Sequence, residues 1–111
     1  MGNGPFLPVF DGTNIWVPNS SSNTVTVVRA STGAVLASLT GNGMSQPNTA
    51  AFDGEIILVA NGGNSVSMWK ATDLSPVGSL GTDPGTFPVG ACSDGLNFWV
   101  TFQGTNKLAR F

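Results

Sequence analysis

The sequence predicts an all-β protein assembled from repeated sheets of four antiparallel strands, and three observations carry that expectation. An Asp-Gly pair recurs at Asp11-Gly12, Asp53-Gly54 and Asp94-Gly95, at intervals of 42 and then 41 residues. A proline stands six residues before each aspartate (Pro5, Pro47, Pro88), and a large apolar residue stands five after it (Trp16, Leu58, Trp99). Between these landmarks lie short apolar or alternating runs separated by Gly, Asn and Ser turns, and no segment requires a helix. A self-similar period near ~40 residues, built of short strands and turns, is the signature of a radial β-array.

Superposed on their aspartates, the units run 5–46, 47–87 and 88–111. Strand A of each unit is expected at Phe6–Phe10, Asn48–Phe52 and Val89–Cys92, short and rich in small residues. The Asp-Gly pair follows as a hairpin turn, since glycine accepts the positive φ that tight hairpins need. Strand B is expected at Asn14–Pro18, Ile56–Ala60 and Asn97–Phe102. Its continuous apolar run Ile56-Ile57-Leu58-Val59-Ala60 fits a strand buried on both faces.

Polar turns follow at Asn19–Asn23, Asn61–Asn64 and Gln103–Asn106. Strand C then alternates over Thr24–Val28, Ser65–Trp69 and Lys107–Phe111, the period of a strand with one buried face. Strand D is expected at Ala34–Leu39 and Pro76–Leu80. Proline is tolerated there because the outermost strand of a sheet has a free edge. The third unit has no strand D. Four antiparallel strands in each unit describe a propeller blade, so the chain holds about 2.75 blades of a β-propeller. A β-sandwich is the competing all-β layout, but it does not require so regular a register.

Trp16-Val17-Pro18-Asn19 followed by Asn23-Thr24-Val25-Thr26-Val27 resembles the Tyr-Val-Thr-Asn repeat of bacterial and archaeal surface-associated β-propellers. Leu58-Val59-Ala60-Asn61 with Asn64-Ser65-Val66-Ser67 repeats the pattern, and Thr32-Gly33 matches the turn before strand D. The third unit, Phe98-Trp99-Val100-Thr101-Phe102 and then Asn106-Lys107-Leu108-Ala109-Arg110, is similar to the streptogramin-lyase-like propellers. Those enzymes use a histidine, acidic groups and a metal; this chain has no histidine, and Phe102 stands where their glutamate would be. The resemblance therefore implies the fold and not lyase activity. It also implies an extracytoplasmic location, reached only if a signal has been removed, because Met1–Pro5 lacks the basic and apolar regions of one.

Propellers close with roughly four to eight blades. An open arc would leave the apolar faces of its end sheets uncovered, and repeat arrays avoid that by capping or association. Two copies would supply six blades, so a homodimer closing a six-bladed ring is expected. A piece of a longer surface propeller is the alternative.

Only 9% of residues are charged, with a net charge of −2 and four basic side chains, which argues against a nucleic-acid track. No run approaches the roughly 18 apolar residues of a membrane helix. Cys92 is alone, so no internal disulfide forms, and its apolar neighbours predict a buried thiol. Asp11, Asp53, Asp94 and Asp73 read as turn formers bonding their own backbone. Without histidine or closely spaced acids, neither a metal site, a cofactor nor a nucleophile pair is expected.

Strand direction alternates, so B–C turns and D–A loops should emerge together on one face of the array. That face gathers Asn19, Asn23, Asn42, Gln46, Asn61, Asn64, Asp83, Gln103 and Asn106. Amide-rich loops suit a glycan or another neutral polar ligand, or a protein partner. The expected function is a non-enzymatic, self-associating binding or scaffold module; a lyase- or lactonase-like propeller enzyme is the alternative of a different class.

Overall fold

A computed structural model describes residues 1–111 as strands, turns and bends, with no helix and hence none long and apolar enough to cross a membrane. Three antiparallel sheets follow one another along the chain. The first holds β1 (Val9–Phe10), β2 (Asn14–Asn19), β3 (Thr24–Arg29) and β4 (Val35–Leu39). The second holds β5 (Pro47–Phe52), β6 (Ile56–Asn61), β7 (Ser65–Lys70) and β8 (Pro76–Gly81). The third holds β9 (Pro88–Ser93), β10 (Phe98–Phe102) and β11 (Lys107–Arg110). Within each sheet the spatial order is the sequence order, so every connection is a hairpin. Two complete blades and a three-stranded third make a partial β-propeller of about 2.75 blades, as the repeat predicts.

The sheets stack face to face through two apolar layers. In the first, Trp16, Val25 and Val27 meet Ala50, Ile57, Val59 and Trp69 of the second sheet. In the second, Ala51, Leu58, Ala60 and Val66 meet Phe98 and Val100. Ile57, Leu58, Val59 and Ala60 are all fully buried, alternately facing one neighbour and then the other. That double burial explains why β6 has no polar side chain between Ile56 and Ala60. β8 lies at the outer edge of its sheet, where Pro76 sacrifices no ladder bond.

Two expectations need correction. The first strand A does not run from Phe6 to Phe10: only Val9–Phe10 is laddered, with Trp16 and Ile15. Pro5 and Leu7 make isolated bridges instead, and that of Leu7 is a parallel one to Thr49 in the next blade. Pro8 has no amide to donate, so the ladder breaks there. Cys92 is exposed rather than buried. It occupies the place of Ala51, but on a sheet whose far side has no neighbour.

Trp16 is the largest fully buried side chain. Removing ~200 Å² of indole surface from water contributes ~5 kcal/mol at ~25 cal/mol per Å². Trp16→Ala is expected to lower unfolding stability by about 3–5 kcal/mol and Leu58→Ala by about 2–5 kcal/mol. The exposed Leu96→Ala should stay within about 0.5 kcal/mol. Urea unfolding of the three variants checks the order.

Candidate functional site

The B–C turns and D–A loops do meet on one face, and a repeated latch joins them. The residue before each blade-opening proline is Gly4, Gln46 or Phe87, with φ of 64°, 54° and 49°. Its carbonyl accepts the first turn amide of the blade it opens: Ser20 to Gly4 (2.9 Å), Gly62 to Gln46 (2.8 Å), Gln103 to Phe87 (3.2 Å). The preceding carbonyl takes the next amide: Ser21 to Asn3, Gly63 to Ser45, Gly104 to Thr86. The approach is close enough that a Cβ at Gly104 would run into the Gly85 carbonyl.

The same residue's amide points back to the previous blade. Gln46 N donates to Asn23 Oδ1 at 2.8 Å, and Phe87 N donates to Asn64 Oδ1 at 3.0 Å. Asn23, Asn64 and Asn106 all hold left-handed backbone, φ 55°, 70° and 57°, which asparagine tolerates better than other side chains.

The nine side chains anticipated for a ligand thus separate into three groups. Asn19 and Asn61 are fully buried. Their Nδ2 atoms donate to Thr24 and Thr26, and to Ser65 and Ser67, so both brace the turn from within and offer no surface. Their Oδ1 atoms have no protein partner. Asn23 and Asn64 hold the next blade, while Asn42 donates to the Met68 carbonyl at 2.9 Å. Gln46, Asp83, Gln103 and Asn106 are the exposed remainder. The amides that sequence assigned to a ligand are largely spent on the frame, because buried turn ends must satisfy their own polar groups first.

Two features were not anticipated. Asn48, on the innermost strand, spans three blades: its Nδ2 donates to the Pro88 carbonyl (3.2 Å) and its Oδ1 accepts from Ser20 Oγ (3.4 Å). On the opposite face, a cavity of about 300 Å³ lies between the first two blades, bordered by Asp11, Thr13, Asn14, Phe52, Ala71 and Thr72. Asn14 Oδ1 is buried there without a protein donor. Only the isoleucine Ile56 in the equivalent place, with no polar atom, hinted that this position differed between blades.

The repeated aspartates act as turn formers and do more. Oδ1 of Asp11, Asp53 and Asp94 accepts the amides two and three residues on, at 2.6–2.9 Å. Oδ2 of Asp11 accepts the Trp16 indole and that of Asp94 the Trp99 indole, each at 2.9 Å. The Trp99 indole first, then the Asn97 and Leu96 amides, hold the Asp94 carboxyl down to about 2. Asp73 is likewise lowered, chiefly by the Ser75 hydroxyl. No group of three potential metal-ligating His, Cys, Asp or Glu side chains comes together.

Stacked four-stranded blades, inner strands side by side and loops latched on one face, define a β-propeller arc. No family model and no curated protein matches the sequence. Solved structures do. The chain is similar to hydrazine synthase of Kuenenia stuttgartiensis, with TM-score 0.77 and 24% identity over 96% of this chain and 35% of that one. It is similar to the β-propeller domain of Myceliophteria thermophila Cps50 (Swd1), with TM-score 0.75 and 15% identity over 100% of this chain and 39% of that one. The WD40 repeats of RRP9 give TM-score 0.73 and 13% identity over 98% of this chain and 38% of that one. The chain thus spans little more than a third of each of these matched chains, and the likeness establishes the fold.

Two outcomes follow from this geometry. Left-handed backbone costs a non-glycine residue about 1–2 kcal/mol, so Gln46→Gly should leave thermal stability unchanged or raise it, where glycine in a strand would lower it. The folded Asp94 carboxyl lies below the ordinary 3.8. Its contribution is therefore full above about pH 4 and is lost as pH falls through about 2. Acid titration of stability and tryptophan fluorescence should show that window, and Asp94→Asn should flatten it.

Proposed function

We propose that this chain is a non-enzymatic β-propeller binding or scaffold module that associates with a second copy of itself. The observation that carries this reading is the uncovered far side of the third sheet. Cys92 and Leu108 are exposed there and Trp99 is half-buried, on a sheet whose other face is packed. Apolar sheet surface of this kind marks an interaction site in a folded protein. Two such arcs supply six blades, within the range in which propellers close.

The ligand-facing part of the module is the latched loop face, offered to a neutral polar ligand or a protein through Gln46, Asp83 and Gln103. These are exposed side chains on backbone that the latch holds rigid, which lowers the entropy lost on binding. The likeness to the Cps50 (Swd1) propeller domain, the WD40 repeats of RRP9 and hydrazine synthase supports the propeller architecture of the module. The non-catalytic reading rests on the absence of histidine and of clustered acids in the chain.

Light scattering on the purified chain tests the association. A mass of twice the 11.4 kDa protomer is expected. A folded protein that stays at the protomer mass across a concentration series would sink self-association.

A further inference from the structure

The two ends of the arc are the two halves of one blade–blade junction, and we propose that they join head to tail: the third sheet of one copy docks on the first sheet of another. The inference rests on the self-association reading above and specifies the surface and the partner.

The junctions inside the chain show what each open face is built to meet. In the first layer the leading blade offers Trp16 and Val25 to Ile57 and Val59 of the next; in the second, Leu58 and Val66 go to Phe98 and Val100. By strand register, Trp99 and Leu108 of the third sheet stand where Trp16/Leu58 and Val25/Val66 stand. Ile15, half-buried, and Val17, already buried within the chain, stand in the first sheet where Ile57/Phe98 and Val59/Val100 stand, on its far side. One end carries the donor set of a junction and the other the receiving set.

Trp99 is also prepared for the role. Its indole is fixed by Asp94 at 2.9 Å, as that of Trp16 is by Asp11 at 2.9 Å. Trp16 uses that orientation to fill the first layer and is fully buried, whereas Trp99 is half-buried, with no further sheet packed over it.

The latch is left half-made at both ends in the complementary sense. Asn23 and Asn64 each accept the amide of the residue before the next blade's proline. Asn106 has the same left-handed backbone and an exposed side chain that accepts nothing. Gly4 is the corresponding residue at the other end: its carbonyl takes Ser20 N, and its own amide donates to nothing. Head-to-tail docking gives Asn106 Oδ1 the Gly4 amide of the second copy. Pairing of two third sheets would leave both groups unused and bring two Arg110 side chains onto one apolar face. A head-to-tail contact also closes into a ring when the rotation allows, which no isologous pairing of one end can do.

Cys92, exposed on the third sheet, reports the geometry directly. Its internal counterpart Ala51 packs in the same layer as Phe98, and Ile15 is the counterpart of Phe98 in the first sheet. A short bis-maleimide should therefore link Ile15→Cys to Cys92 of another copy, giving a covalent dimer, while the wild-type chain gives none. The exposed Asn106→Ala should fold normally and raise the dissociation constant about tenfold. A Cys92–Cys92 cross-link in the wild-type chain, with no further cross-link through position 15 in Ile15→Cys, overturns the head-to-tail junction and leaves self-association standing. An unchanged dissociation constant in Asn106→Ala overturns the latch. A wild-type protein monomeric at every concentration overturns association and junction together.

Discussion

A blade of three or four strands has two apolar faces and can cover neither by itself, and most of this structure follows from that constraint. Only the second sheet has a neighbouring sheet on both faces, and its strand β6 carries the longest unbroken run of fully buried side chains, Ile57 to Asn61. The outer sheets have a neighbouring sheet on one side each. Burial in the chain is therefore set by position in the array as much as by residue type. Ala51 and Cys92 occupy the same place in their repeats, yet one is buried and the other exposed.

Face-to-face packing alone is non-directional, so something else must set the angle and height of one blade on the next. The latch residues do that. Gln46 and Phe87 each join two turns, through the amide to the blade before and the carbonyl to the blade after. Each such bond contributes about 1 kcal/mol net, comparable to the cost of the left-handed backbone that aims both groups at once. The latch is consequently worth little as stability and much as registration, which is why its residues can be Gly, Gln or Phe while the following proline is constant through all three units.

Much of this architecture was legible in the sequence because it rests on steric and periodic rules. Asp-Gly turns, alternation in strand C and proline on a free edge each leave a mark that survives without knowledge of neighbours. What was not legible depends on partners distant in sequence. The Asp94–Trp99 bond spans five residues and is invisible to a turn rule that uses only the backbone amides. The role of Asn23 requires Gln46 to be folded over it, and the burial of Asn61 requires the loop before Pro47. Asparagine in a turn looks the same in sequence whether it faces a ligand, braces a hydroxyl pair or holds the next blade. Pro8 did carry a warning, since a residue without an amide inside a proposed strand argues against a continuous ladder.

The distribution of asparagine roles also bears on where a ligand could act. A loop face whose amides were free would be adaptable but floppy, and ordering it would cost binding energy. Here the buried amides of Asn19 and Asn61 and the latching ones of Asn23 and Asn64 hold the turns still. The exposed side chains of Gln46, Asp83 and Gln103 sit on the D–A loops and B–C turn that this frame orders. Gln46 is the clearest instance: its backbone joins two blades through both peptide groups while its side chain projects to solvent. A contact made at that side chain would act on the residue that registers one blade against the next, so recognition on this face, as proposed above, would be mechanically connected to the geometry of the array through a single position.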